Sequence, residues 1–166
     1  MKATEGDNHP VALAVRLMIY TGLRKNEALG LRWRDIKDVE GLSVIMFLET
    51  KNHRPHYLPV TPEIQDILDR SSKQSDYLFP SPQNQNSFVR DVRSKLNCLC
   101  QAVGTEFKCH DLRRTFATRA AEVGIDFLTI KRLLNHKSND ITAQYIQWDS
   151  RQNLSKLKEA LVQIQY

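Results

Sequence analysis

An arginine stands where a helix needs a hydrophobic side chain, and few folds tolerate that. Wound at ~100° per residue, residues 112–123 put Leu112, Phe116, Ala117, Ala120, Ala121 and Val123 on one side, with Arg113 in their midst. Arg114, Thr115, Thr118, Arg119 and Glu122 take the opposite side, as a solvated face requires. A guanidinium withdrawn from water costs several kcal/mol unless something pairs with it. Arg113 therefore calls for an internal carboxylate or for a bound anion such as a phosphate.

The surrounding stretch, CHDLRRTFATRAAEVGIDFLTIKRLLNHKSNDITAQY over 109–145, adds further chemistry. His110 precedes Arg113 by one helical turn, and His136 follows a second predicted helix. Tyr145 shares with Ile141 and Trp148 one face of a short third helix that Ser138 can cap. Tyrosine serves enzymes as a covalent nucleophile, arginines stabilise charge on a phosphoryl group, and histidines move protons near neutral pH. Together these residues form a kit for attacking a phosphodiester. Taken alone, Tyr145 reads as a core aromatic.

The rest of the chain supplies a scaffold. Residues 1–8 are polar and expected to be loosely ordered. Residues 11–20 are apolar on almost every side except at Arg16, the pattern of a buried core helix. Thr21-Gly22 breaks it, and Arg24 stands at the start of a second helix over 25–31. There Arg24 either packs over the loop or is held by it with its head group free for a ligand. A small sheet follows Asp35 and Ile36, in which 42–49 and 56–60 form a hairpin and 51–55, with Lys51, its turn. A lysine in a turn is ordinarily solubilising.

Thr61-Pro62-Glu63 opens a helix with Ile64, Ile67 and Leu68 inside, and 76–80 is a loop with buried aromatics. Phe88, Val92, Leu96, Leu99 and Val103 mark a long amphipathic helix that Gly104 ends. Gly124 stops the helix of Arg113, and Asp126 caps the next one, with stripe Phe127, Ile130 and Leu134. Leu154, Leu157, Leu161 and Ile164 form one apolar edge of a final helix. The fold class is α+β, mainly helical, with a small antiparallel sheet of about three strands on one edge.

The strings TGLRKNEALGLRW, TKNHRPHYLPV, HDLRRTFATRA and LLNHKSNDITAQY, in this order and at these separations, resemble the successive signature blocks of the tyrosine recombinase or phage-integrase family. The likeness runs from about Pro10 to the C-terminus. It implies an integrase-like, DNA breaking-rejoining fold and a single catalytic domain over 1–166, without the N-terminal helical core-binding domain of such enzymes. It also assigns roles. Tyr145 attacks the scissile phosphate to give a 3'-phosphotyrosine and a free 5'-hydroxyl. Arg24 and Arg113 hold the non-bridging oxygens, with His136 as a further donor. His110 assists proton transfer at the tyrosine, Lys51 protonates the leaving 5'-oxygen, and Glu27 supports the site. Arg54, Lys131, Arg132 and Lys137 are the expected DNA contacts.

The implied partner is a double-stranded DNA recombination site, bound by a homotetramer whose isolated domain is monomeric. No metal, ATP or other cofactor is expected. Two departures from the pattern stand out: Asn135 replaces a glycine, which left-handed geometry permits asparagine to do, and Arg114 replaces a frequent histidine. In such enzymes the last helix commonly docks on a neighbouring subunit, although packing on its own domain fits the sequence equally. A type IB topoisomerase uses a related kit, but the compact block order favours a recombinase. From another class, the helix, glycine turn and helix over 112–134 resemble a helix-turn-helix that reads DNA without cleaving it.

Bulk properties bound these readings. With 166 residues and 41% hydrophobic content the chain suits one domain with a proper core. A formal charge of +5 permits a nucleic-acid partner without demanding one. No apolar run approaches a membrane span and the first residues lack a signal-peptide core, so a cytoplasmic protein is expected, and the resemblance implies that it is bacterial or phage-encoded. Three cysteines suggest no disulfide framework. Cys98 and Cys100, two apart on a predicted helix, point to different sides, which argues against a zinc site with Cys109 and His110.

Overall fold

Helix α1 (Pro10–Thr21) is the element against which most of the other described helices pack. In this computed structural model, residues 6–48, 55–136 and 148–165 are described. Val11, Leu13, Val15, Leu17, Met18 and Tyr20 of α1 are all buried, at ~1.5–3 kcal/mol for each large side chain. Pro10 suits the first helical position, and His9 Nδ1 accepts from the Val11 N–H at 3.2 Å. Gly22, in the left-handed conformation at φ 66, ends the helix. Arg16, the polar exception, pairs at 3.0 Å with Asp66 of α3 (Pro62–Arg70). Of the leading residues expected to be loose, 1–5 lie outside the described ones, and Asp7 forms an ion pair with Lys95 at 2.5 Å.

Helix α2 (Lys25–Leu29) follows the break at Gly22 and ends two residues earlier than its pattern suggested, at Gly30. A single 3-10 turn (Trp33–Asp35) leads into β1 (Ile36–Val39), β2 (Leu42–Phe47) and β3 (His56–Pro59). These form one antiparallel sheet in that order, with Ile36 opposite Ile45, Ile45 opposite Leu58, and Phe47 opposite His56. The α+β class with a small three-stranded sheet is therefore what the chain adopts.

One stretch departs from expectation. Phe88 does not begin a helix: it ends β5 (Asn84–Phe88), which pairs with β4 (Pro80–Ser81) in a two-stranded sheet. The polar run 83–87 has no apolar stripe to hold a helix on the core, and the Asp91 carboxylate accepts the Arg93 N–H at 2.9 Å, so α4 starts at Arg93 (Arg93–Val103). Val103 is exposed, leaving Leu99 as the buried residue of that helix.

Helices α5 (Cys109–Glu122) and α6 (Phe127–Leu133) carry the second half of the core through Leu112, Phe116, Ala120, Ile130 and Leu133. Asp126 caps α6 by accepting the Thr129 N–H at 2.9 Å. Phe127 leaves the expected inner stripe and is 71% exposed; its outward ring carries the Lys131 ammonium at 4.5 Å. Helix α7 (Arg151–Ile164) buries Leu154, Leu157, Leu161 and Ile164 on its own domain, against β3, α5 and α1. Among the described residues no helix is long and apolar enough to cross a membrane.

Candidate functional site

Arg113 is buried, 6% exposed, as its place on the apolar face of α5 requires. Its partners are two backbone carbonyls rather than a carboxylate. One terminal nitrogen donates to Gly22 O at 2.6 Å and the other to Leu134 O at 2.5 Å. These carbonyls precede Arg24 and His136 by two residues each. A single guanidinium thus ties the break after α1 to the turn after α6, and through them sets where Arg24 and His136 leave the scaffold.

Each anchored segment has its own local reason for its shape. At the first, Gly22 packs so closely that a Cβ there would lie 2.6 Å from Leu134 Cδ2 and 2.7 Å from Phe116 Cδ1. Arg24 then opens α2, and Glu27 holds it twice: the carboxylate accepts the Arg24 backbone N–H and its Nη1, both at 2.9 Å. The Arg24 side chain stays nearly half exposed. At the second segment the Asn135 and His136 N–H groups return to the carbonyls of Arg132 and Lys131, each at 3.0 Å. Asn135 holds φ 48 there, the left-handed position of a Schellman-type closure. Asparagine thus fills the position of the family's glycine in the conformation foreseen for it.

The charges in this cluster repel one another. Burial, then the neighbouring Arg24 charge, pull the pKa of Arg113 down to about 10, with Glu27 opposing. His136, exposed at the turn but with a partly covered ring, is lowered by desolvation and then by Arg113, Arg24 and Lys131. Neutral His136 keeps one ring N–H to donate. Crowded cations anchored by the backbone and paired to one carboxylate at the rim are poised for an anion, which would relieve their repulsion.

His110 is exposed on the first turn of α5, one turn before Arg113. Lys131 and Arg132 lie on the last turn of α6. Lys51, Arg54, Lys137 and Tyr145 lie outside the described residues. Among the described residues no three His, Cys, Asp or Glu side chains are grouped to hold a metal ion.

Sequence reasoning passed over His56. It stacks on Phe47 with ring centroids 5.7 Å apart, is 1% exposed, and neither ring nitrogen has a hydrogen-bond partner among the described residues. Burial first, then Arg132 and Arg113, push its pKa down to about 3 against an opposing pull from the Leu133 backbone, with Arg24 adding a smaller push. The signal was available: on a strand of period two, His56 shares the inward row with Leu58 and Val60.

Comparison with known proteins follows the same lines. The sequence matches the phage integrase family over residues 1–152. It is 34% identical over 136 residues to the tyrosine recombinase XerA of Saccharolobus solfataricus, covering 80% of this chain and 44% of that protein. It is 25% identical over 146 residues to the prophage integrase IntF of Escherichia coli, covering 83% and 31%. Among solved structures, the integrase of mycobacterium phage Brujita superposes with a TM-score of 0.66 at 19% identity, over 100% of this chain and 58% of that one. The XerH recombinase in its pre-cleavage complex gives a TM-score of 0.66 at 19% identity, over 82% and 44%. The chain spans about half the length of the curated relatives it matches.

Proposed function

This chain belongs to the phage integrase family, and on that footing we propose that it is the catalytic domain of a site-specific DNA recombinase. It breaks and rejoins strands through a 3'-phosphotyrosyl intermediate. The observation that carries this reading is the buried Arg113, without a carboxylate partner among the described residues and tied to the segments of Arg24 and His136. XerH has been solved on its difH substrate before cleavage and on a palindromic one after it, which supports duplex DNA as the partner here. The protein acts in the compartment that holds the DNA, the cytoplasm, and works as a homotetramer on its site.

The chemistry runs as follows. A tyrosine of pKa about 10 is almost wholly protonated at pH 7, a handicap of roughly 4 kcal/mol in available phenolate. The Tyr145 oxygen attacks phosphorus while the bond to the 5'-oxygen breaks. His110 takes the phenolic proton, and Lys51 gives one to the departing oxygen. Arg24 and Arg113 hold the non-bridging oxygens, where charge accumulates, and neutral His136 donates a further hydrogen bond. Glu27 keeps Arg24 oriented. The ester to tyrosine conserves the energy of the phosphodiester, so a 5'-hydroxyl from another strand reverses the step without ATP. Arg54, Lys131 and Lys137 contact the backbone of the duplex.

A nicked suicide duplex tests this directly, since loss of the short 5'-hydroxyl fragment traps the intermediate. A covalent protein–DNA band on a denaturing gel is expected, and it should vanish in Tyr145→Phe. No band from the unaltered chain would leave only a DNA-reading module. Lys51→Ala should slow cleavage by ~10²- to 10⁴-fold, yet recover on a 5'-bridging phosphorothiolate, whose thiolate leaves without a proton. Arg113→Ala should not recover. Equal defects of Lys51→Ala on both substrates would remove the lysine from the acid role.

A further inference from the structure

Arg132 behaves unlike a basic residue waiting for DNA. It donates from Nη2 to Pro55 O at 2.9 Å, across 77 residues of sequence. Its guanidinium lies over the Trp148 ring, 5.3 Å from the centroid, and its Nε is shielded from solvent. Pro55 comes four residues after Lys51, and Trp148 three after Tyr145. Helix α6 also leads into the turn that Arg113 fixes through Leu134 O. The end of α6 therefore touches Pro55 and Trp148, which flank the stretches of Lys51 and Tyr145, as well as Arg113 itself.

We infer that Arg132 is a positioning residue for strand cleavage, holding Pro55 and Trp148, and through them the segments of Lys51 and Tyr145, in register with Arg113 and His136. The inference rests on the function proposed above. Phosphoryl transfer by positioned groups is sensitive to geometry, and a misplacement of ~1 Å arising away from the chemistry is worth about 10²-fold in rate. A planar guanidinium can do this because its edge donates to a carbonyl while its face lies on an indole.

Two readouts on the 166-residue chain separate positioning from DNA contact. Arg132→Gln keeps an N–H donor but loses the cation and the rigid plane. It is expected to slow covalent-complex formation at saturating suicide duplex by about 10²-fold, while the duplex Kd and its salt slope stay as in the unaltered chain. Arg132→Lys should recover only part of the rate, since an ammonium can donate to Pro55 O or approach Trp148 but has no plane that serves both at once. On the phosphorothiolate duplex, Arg132→Gln should regain the part of its loss that passes through Lys51. Weaker duplex binding with a salt slope reduced by about one, and an unchanged rate at saturation, would make Arg132 a phosphate contact and overturn the inference. No change in either readout would overturn it too. If Arg132→Gln is unfolded in urea titration, Trp148→Leu carries the same test, with slower cleavage at unchanged Kd expected and normal cleavage refuting. Absence of covalent complex from the unaltered chain would instead sink the functional reading, and the inference with it.

Discussion

A buried imidazole whose nitrogens both lack a partner among the described residues costs free energy that a phenyl ring would not. Removing a buried polar group that makes no hydrogen bond is neutral or stabilising when shape is kept, and His56 already stacks on Phe47. His56→Phe is therefore expected to hold or raise the urea midpoint at pH 7. Its pH dependence has a definite sign. The folded pKa is depressed to about 3, so the unfolded chain binds a proton that the folded one refuses. The stability is complete above the unfolded value of about 6.5 and drains away as pH falls towards 3, at ~1.4 kcal/mol per pH unit. Between pH 6.5 and 5 that is a loss of about 2 kcal/mol from this one group. Urea titrations at pH 7 and 5 should show it in the unaltered chain and a flatter dependence in His56→Phe; equal slopes would mean that the ring reaches solvent. At this scale the sequence was legible where a local period exposed an anomaly. Arg113 interrupts an apolar helix face, and its burial follows. Its partners did not follow, because carbonyls of Gly22 and Leu134 have no signature of their own. The tie between Arg132 and Pro55 joins elements far apart in sequence, and no local pattern encodes it.

Among the elements, the two turns that Arg113 binds decide how well the cluster is assembled. Gly22→Ala would place a methyl group against Phe116 and Leu134 and demand φ 66 of an alanine. The left-handed backbone costs ~1–2 kcal/mol and the overpacking ~1–3 kcal/mol. Because the Gly22 carbonyl holds Arg113, cleavage should fall along with the urea midpoint. A variant that loses stability and keeps its rate would detach Arg113 from this anchor. Asn135 makes the converse case, since a glycine there meets the same φ 48 without strain. Asn135→Gly is expected to leave stability within ~0.5 kcal/mol and to cleave normally, whereas Asn135→Val should lose ~1–2 kcal/mol and displace His136. The conformation of this turn was readable through the resemblance, which puts a glycine before the second histidine, a position that asparagine can hold in left-handed geometry. Residues 88–103 were less readable: apolar spacing continued through Phe88 and Val92, but a polar hairpin and the Asp91 carboxylate that accepts the Arg93 N–H, not the stripe, set where α4 begins.

For the molecule as a whole, charge would govern the encounter with the proposed DNA partner. The net charge is +5, and phosphate contacts made by Lys and Arg release counterions, so log Kd should change by about 0.9 per contact for each tenfold change in salt. Binding of the isolated chain to duplex is expected to be weak and to fall steeply from about 50 to 200 mM salt; tight, salt-indifferent binding would favour a base-reading module. Cleavage should persist in excess EDTA, because in the proposed site Arg24, Arg113 and Lys51 supply the positive charge that metal ions supply in other phosphoryl-transfer sites, with neutral His136 adding a hydrogen bond. Dependence on added magnesium would show that the site is wrongly composed. Helix α7 bears on assembly in a different way. Its apolar edge is already seated on β3 and α5 of its own domain, and a segment tethered beside its groove competes there at an effective concentration on the order of millimolar. The same helix from another copy, present at micromolar concentration, is therefore outnumbered roughly a thousandfold at that groove. Chains free in solution are therefore expected to keep their own helices, and any exchange between copies would gain ground only where a shared duplex crowded them together, so that it would report occupancy of the DNA rather than the amount of protein.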